Sequence, residues 1–222
     1  MLFLAVFCGF LAEYKLEQTI ERHREKEFIG SMLEDAANDT AHIRETISAN
    51  QARIFYLDSL ALACYEYQGT QAQSSRLYFL NKKTLYRPDL LYPTDRTIFQ
   101  LKNAGGMRLI RKKAAANAII NYDNTGKQVL NQQVYYENYL NELTACATGL
   151  FNFPELMARM DNRAEHLETA RLISEDRSAL MKMGNQAKMF QGILKQYINR
   201  LNEMRDQALQ LMEILNKEYH IH

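Results

Sequence analysis

Two runs of apolar residues, stepping alternately by three and four positions, constrain this chain more than any other feature. The first holds Ile29, Leu33, Ala36, Thr40, Ile43, Ile47, Asn50, Ile54, Leu57, Ala61 and Cys64. The second holds Leu180, Met183, Ala187, Phe190, Leu194, Tyr197, Leu201, Met204, Ala208, Leu211 and Leu215. Such spacing keeps one stripe of a helix turned toward a partner as the chain winds. No proline falls within either run, and three prolines and nine glycines in 222 residues are too few for a turn-rich β fold. The second run spans ~54 Å as a helix, and the first helix beyond residue 27 spans ~60 Å. Two rods of matched length and seam predict a pair lying side by side, in one chain or between neighbours. The expected class is all-α: an elongated helical bundle with coiled-coil-like N- and C-terminal helices and an irregular insertion at about 69–94.

The first rod reads as one helix from Leu2 to about Gln68. Its opening segment, residues 1–12, is apolar on all sides through Leu2, Phe3, Leu4, Val6, Phe7, Phe10 and Leu11, which a soluble amphipathic helix does not need. From Leu2 to Ala12 it spans only ~16 Å, against ~30 Å for a bilayer's hydrocarbon core. Three readings remain open: a truncated span, a short tilted anchor, or a buried oligomerisation helix; the apolarity favours the membrane. A collar from Glu13 to Glu27 follows, in which Lys15, Arg22, Arg24 and Lys26 alternate with five glutamates as on a solvated helix face. Residues 13–222 then form the bundle domain. Thr40 and Asn50 are polar at seam positions, a device that fixes register or oligomer state. Self-association through Ile29, Leu33, Ile43, Ile47, Asn50, Ile54 and Leu57, with Leu194, Leu201 and Leu211 from the last helix, is expected.

Between the rods, Gly69 to Ser75 reads as a helix exit, followed by a short amphipathic piece from Arg76 to Tyr86 with Leu77, Leu80 and Leu85 inward. Pro88 and Pro93 enclose an extended stretch, since each disfavours helix at the residue before it. A short helix from Arg96 to Asn103, capped by Thr94 or Asp95, ends at Gly105 and Gly106. Ala114 to Leu150 reads as the third long helix, with Ile119, Tyr122, Val129, Tyr136, Leu140, Leu143, Ala147 and Leu150 on its inner face. Asp123-Asn124-Thr125-Gly126 is a weak point for a kink or break. A helix from Pro154 to about Ile173 follows, with Ser174 as a candidate cap for the next one.

No catalytic constellation stands out, and an enzyme is not expected. Asp39, His42 and Glu45 stand on one helix at three-residue spacing, but a di-metal bundle needs a matching Glu-x-x-His element elsewhere. His166, beside Glu165 and Glu168, does not supply it, so solvated charges are the better reading. His220 and His222 read as a frayed end. Gly105-Gly106 lacks the strand and the Gly-Lys-Ser/Thr of a phosphate loop. Arg108, Arg111, Lys112 and Lys113 are too short a basic run for nucleic acid, and a formal charge of +1 gives no global field to draw one. No metal and no cofactor are expected. Cys64 and Cys146 each lie on an apolar helix face; buried free thiols are favoured over a bridge.

The run Pro93-Thr94-Asp95-Arg96-Thr97-Ile98-Phe99-Gln100-Leu101, then Gly105 to Arg111, then Ile119-Ile120-Asn121-Tyr122, resembles the signature of an uncharacterised family of Bacteroidota membrane proteins. In that family one N-terminal span leads directly into a long polar helix, as the apolar segment and collar do here. The resemblance implies a single-pass inner-membrane anchor and a helical body on the periplasmic side; it implies no catalytic residues. The expected function is a membrane-anchored scaffold or accessory subunit that assembles with itself or with another membrane-complex protein. The rival is a helical-bundle sensor binding a small ligand among Tyr65, Tyr67, Tyr78, Tyr135, Tyr136 and Tyr139.

Overall fold

The computed structural model describes residues 2–85, 87–103, 105–160 and 171–221. These form an all-α bundle: α1 (Leu2–Tyr65), α2 (Gln71–Leu85), α3 (Arg96–Asn103), a 3-10 turn (Gly106–Leu109), α4 (Lys113–Thr148), α5 (Phe153–Met160) and α6 (Arg177–Tyr219). No strand occurs among the described residues. The chain divides into two compact units. The first comprises Met1–His42, Tyr92–Lys127 and Glu203–His222, the second Ile43–Leu91 and Gln128–Asn202.

Every position of the α6 seam, from Leu180 to Leu215, is buried within the single chain, Leu194, Leu201 and Leu211 included. The α1 seam is buried at Ile29, Ala36, Ile43, Asn50, Leu57, Ala61 and Cys64, while Leu33, Ile47 and Ile54 are only half-buried. Met32, Asp35, Asp39, Arg53 and Leu60 are buried beside it. A helix that packs against two others needs a wider inner stripe than a two-stranded coil, and residues next to the strict seam then turn inward as well.

In the second unit α1 and α6 lie antiparallel. Asp58 meets Lys188, the Ile54 carbonyl accepts from Gln191 at 3.3 Å, and the Tyr65 carbonyl accepts from Arg177 at 2.7 Å. α4 is also antiparallel to α6 there, since Gln133 meets Tyr197 while Glu142 meets Gln186. α1 and α4 therefore run parallel, and Arg53 reaches Tyr136 between them.

Several local expectations are corrected. α1 ends at Tyr65, and the Gln/Ser run expected to be irregular belongs to the fifteen-residue α2. The reason is a capping box that the sequence carried in plain view. Thr70 Oγ1 accepts the Gln73 amide at 3.3 Å, and Gln73 Oε1 accepts the Thr70 amide at 3.4 Å. Tyr86, the expected end of that piece, lies outside the described residues. α4 passes through Asp123–Gly126 unbroken. The Asp123 carboxylate is taken up by Lys102 and Lys127, so it does not compete for the backbone. Gly126 lies where a side chain would touch Met204 and Pro93. α5 is helical to Met160 and residues 171–176 are not helical; the rest of the helix expected to reach Ile173, with Glu165, His166 and Glu168, lies outside the described residues. Ser174 does not cap α6. Asp176 does, accepting the Ala179 amide at 2.9 Å, while the Ser174 hydroxyl accepts the Asp176 amide.

Gly184 is the position in α6 where absence of a side chain matters. A Cβ there would stand 2.5 Å from the Tyr65 ring, whose hydroxyl donates to Asn185 Oδ1 at 3.0 Å. Ordinary glycine-to-alanine change inside a helix stabilises by roughly 1 kcal/mol. Here the displaced ring costs more, so Gly184→Ala is expected to destabilise by about 1–2 kcal/mol net. Urea unfolding measures it, and adding Tyr65→Ala should turn the change favourable.

Candidate functional site

The polar side chains buried on α1 form the most distinctive chemistry of the molecule. In the first unit, Asp39 is fully buried. It accepts the Thr94 amide at 3.0 and 3.1 Å, the Thr94 hydroxyl at 2.7 Å and the Tyr122 hydroxyl. One turn earlier, Asp35 accepts the Thr97 amide at 3.3 Å, the Thr97 hydroxyl at 2.5 Å and Arg96 at 2.9 Å. The unpaired amides at the start of α3 are thus held by carboxylates from another helix, favourably placed at the positive end of its dipole. Further up, Glu25 Oε1 accepts the Arg111 amide at 2.8 Å and the Tyr219 hydroxyl at 2.5 Å, and Glu21 takes the Arg111 guanidinium. Gly105 sits at φ 66°, a conformation glycine enters without strain, and a Cβ on Gly106 would stand 3.1 Å from the Leu101 backbone. The pair therefore serves the turn.

The second unit treats the extended stretch 87–91 in the same way. Arg53, only 5% exposed, donates to the Tyr136 hydroxyl at 2.5 Å, to the Arg87 carbonyl and to Asp89 at 2.8 Å. Asn50 donates to the Asp89 carbonyl at 2.8 Å. The Tyr197 hydroxyl accepts the Leu91 amide at 2.8 Å, and Gln133 donates to the Leu91 carbonyl at 2.5 Å. A stretch with prolines at both ends cannot satisfy its own backbone as a helix or sheet would, so side chains do it.

These contacts revise the reading of Asp39, His42 and Glu45 as solvated charges. His42 and Glu45 are exposed, but Asp39 is buried and saturated with donors. The residue before it on the same face, Asp35, gave no sequence signal because acids on a charged helix look alike. No group of three metal-ligating side chains occurs among the described residues. Of the basic run, Arg111 pairs with Glu21, Lys112 lies 3.8 Å from Glu218, and Arg108 and Lys113 are exposed. His220 follows the end of α6, and His222 lies outside the described residues.

Four of the six tyrosines proposed as a ligand pocket, Tyr65, Tyr67, Tyr78 and Tyr136, spend their hydroxyls on the protein. Tyr78 donates to the Arg171 carbonyl at 3.1 Å and accepts the Asn152 amide at 3.0 Å, while Tyr67 meets Ser74 and Glu175. Tyr135 is exposed, and Tyr139 half-buried. Asn81, fully buried on α2, has no partner for either amide atom among the described residues. Because unmet polar groups cost more than apolar ones of equal size, Asn81→Leu is expected to stabilise by about 1 kcal/mol, read as a higher Tm.

Burial, reinforced by Asp39, raises the Tyr122 phenol above its ordinary range; burial, opposed by Arg53, lifts Tyr136 to about 12. Burial and then Glu25 raise Tyr219. Each phenol keeps its proton more strongly in the fold than in the open chain. Their stabilising contribution is therefore complete below the unfolded phenol pKa of about 10 and is lost as pH rises beyond it. Alkaline titration should show these phenols ionising only with cooperative unfolding, visible as a late step in phenolate absorbance that coincides with loss of helical circular dichroism.

The class of the protein is thus an all-α bundle in which buried polar groups of the long helices hold a proline-bounded connection. No protein-family model, no curated protein and no solved structure matches the chain.

Proposed function

We propose that the protein is a membrane-anchored helical scaffold or accessory subunit, set in the inner membrane with its body in the periplasm and assembling with itself or another membrane-complex protein. The observation that carries this reading is the bare start of α1. Phe3 is 83% exposed and Phe10 68%, and Val6, Phe7 and Leu11 are also exposed, on a segment where Leu2 and Leu4 add to the apolar run. A monomer rarely leaves such a cluster to water, because each large apolar side chain forfeits about 1.5–3 kcal/mol by staying exposed. No helix among the described residues is long and apolar enough to cross a membrane. The family resemblance on residues 93–122 supports the same placement.

The α6 seam is covered inside the chain, so partner contacts fall to side chains left outside, such as Phe55 and Phe79 beside Tyr56. The sensor alternative has less support, since the hydroxyls of Tyr65, Tyr67, Tyr78 and Tyr136 are already engaged. Flotation with vesicles of phosphatidylethanolamine and phosphatidylglycerol tests the anchor. The chain should float, and the Phe7→Asp/Phe10→Asp variant should remain at the bottom. A wild-type chain that stays unbound and monomeric in mass photometry overturns the reading.

A further inference from the structure

Cys64 and Cys146 have no role in the contacts above, yet the helix register brings them together. α1 and α4 run parallel in the second unit, and Arg53 meets Tyr136 across 83 positions. The same separation places Cys64 level with Ala147, immediately beside Cys146. Both cysteines are free thiols; Cys64 is fully buried and Cys146 half-buried. Ala61, one turn before Cys64, and Ala147 are fully buried and present only a methyl group, which lets the two backbones approach. Cys146 precedes Ala147 by one position and so borders the same face of α4, and a disulfide closes where the two Cα atoms stand about 4.4–6.8 Å apart.

We propose that Cys64 and Cys146 form a redox-modified pair that closes into a disulfide linking α1 to α4 when the chain meets a small-molecule disulfide. The more accessible Cys146 loses its proton and attacks one sulfur of the reagent, giving a mixed disulfide and releasing one thiol. Cys64 then loses its proton and attacks the Cys146 sulfur, releasing the second thiol. Two protein S–H groups and one reagent disulfide become one protein disulfide and two reagent thiols. Burial raises both thiols: at the half-buried Cys146 Lys182 opposes it, whereas at Cys64 the nearby Cys146 adds to it and the thiol is lifted to about 12. The entering thiol is thus the outer one and the resolving thiol the inner one. The bridge would enclose α2, the extended stretch and α3 in one covalent loop, restricting the unfolded chain. The inference does not depend on the membrane reading.

The test uses the full chain carrying Cys8→Ser, which removes the exposed third thiol. Treated with oxidised glutathione, it should lose the mass of two hydrogens, resist alkylation after unfolding, and yield one cross-linked peptide joining α1 to α4. Its Tm should rise by several degrees over the reduced form, and added Cys64→Ser or Cys146→Ser should abolish the rise. A stable glutathione adduct on Cys146 with Cys64 still open to alkylation overturns the proposal, as does a complete absence of reaction in the folded chain.

Discussion

Asp39→Ala will be among the most damaging single changes in the chain, costing about 3–5 kcal/mol. The carboxylate is the shared acceptor for the Thr94 amide and hydroxyl and for the Tyr122 hydroxyl. Tyr122 and Asp39 are both buried, so the orphaned phenol finds no water to replace its acceptor. Each buried donor left unmet costs about 1–3 kcal/mol, and the cavity adds to the sum. Asp39→Asn keeps the volume and one acceptor oxygen but turns an N–H pair toward donors; it should cost about half as much. Urea unfolding followed by circular dichroism separates the two. A pair of variants indistinguishable from wild type would mean that α3 is held by its apolar side alone, through Ile98 and Leu101.

Arg53→Met comes second, with an expected loss of about 2–4 kcal/mol. The methionine fills much of the buried stem, so the measurement reports mainly the guanidinium. Without it, the Tyr136 hydroxyl keeps the Asp89 amide at 3.3 Å but loses its charged donor, and the Arg87 carbonyl loses the guanidinium, while Asp89, whose side chain is 39% exposed, recovers water. That asymmetry sets the comparison. Asp89→Asn, which alters the partly solvated end of the pair, should cost only about 0.5–1 kcal/mol. Amide exchange offers a local readout: the Leu91 amide, held by Tyr197, should exchange faster in Arg53→Met if the guanidinium organises the stretch.

Much of the helical plan was legible from spacing alone. The α6 seam is buried at every predicted position, because an unbroken three-four pattern over Leu180–Leu215 admits one inner face. On α1 the pattern mixed acids and small residues, and there the strict seam understated the burial. Met32 lies inside where Leu33 was expected to dominate. The Thr70–Gln73 box was present as a local signal, yet the Gln/Ser composition around it argued for a loop. Asp176 rather than Ser174 caps α6 for a similar reason: several residues of one chemistry compete, and φ/ψ at the turn selects among them.

The polar anchors were illegible for a different reason. Asp35, Asp39 and Arg53 sit among other charges on a helix that is charged along most of its length, and nothing local distinguishes them from solvated neighbours. What distinguishes them lies 34 to 62 positions away, in the connection whose backbone they satisfy. The sequence by itself therefore determined the class, the three long helices and the two apolar seams, because helix periodicity is a local property. Only the tertiary structure decided which polar residues go inside, since a carboxylate or guanidinium tolerates burial solely where distant donors or acceptors come to meet it.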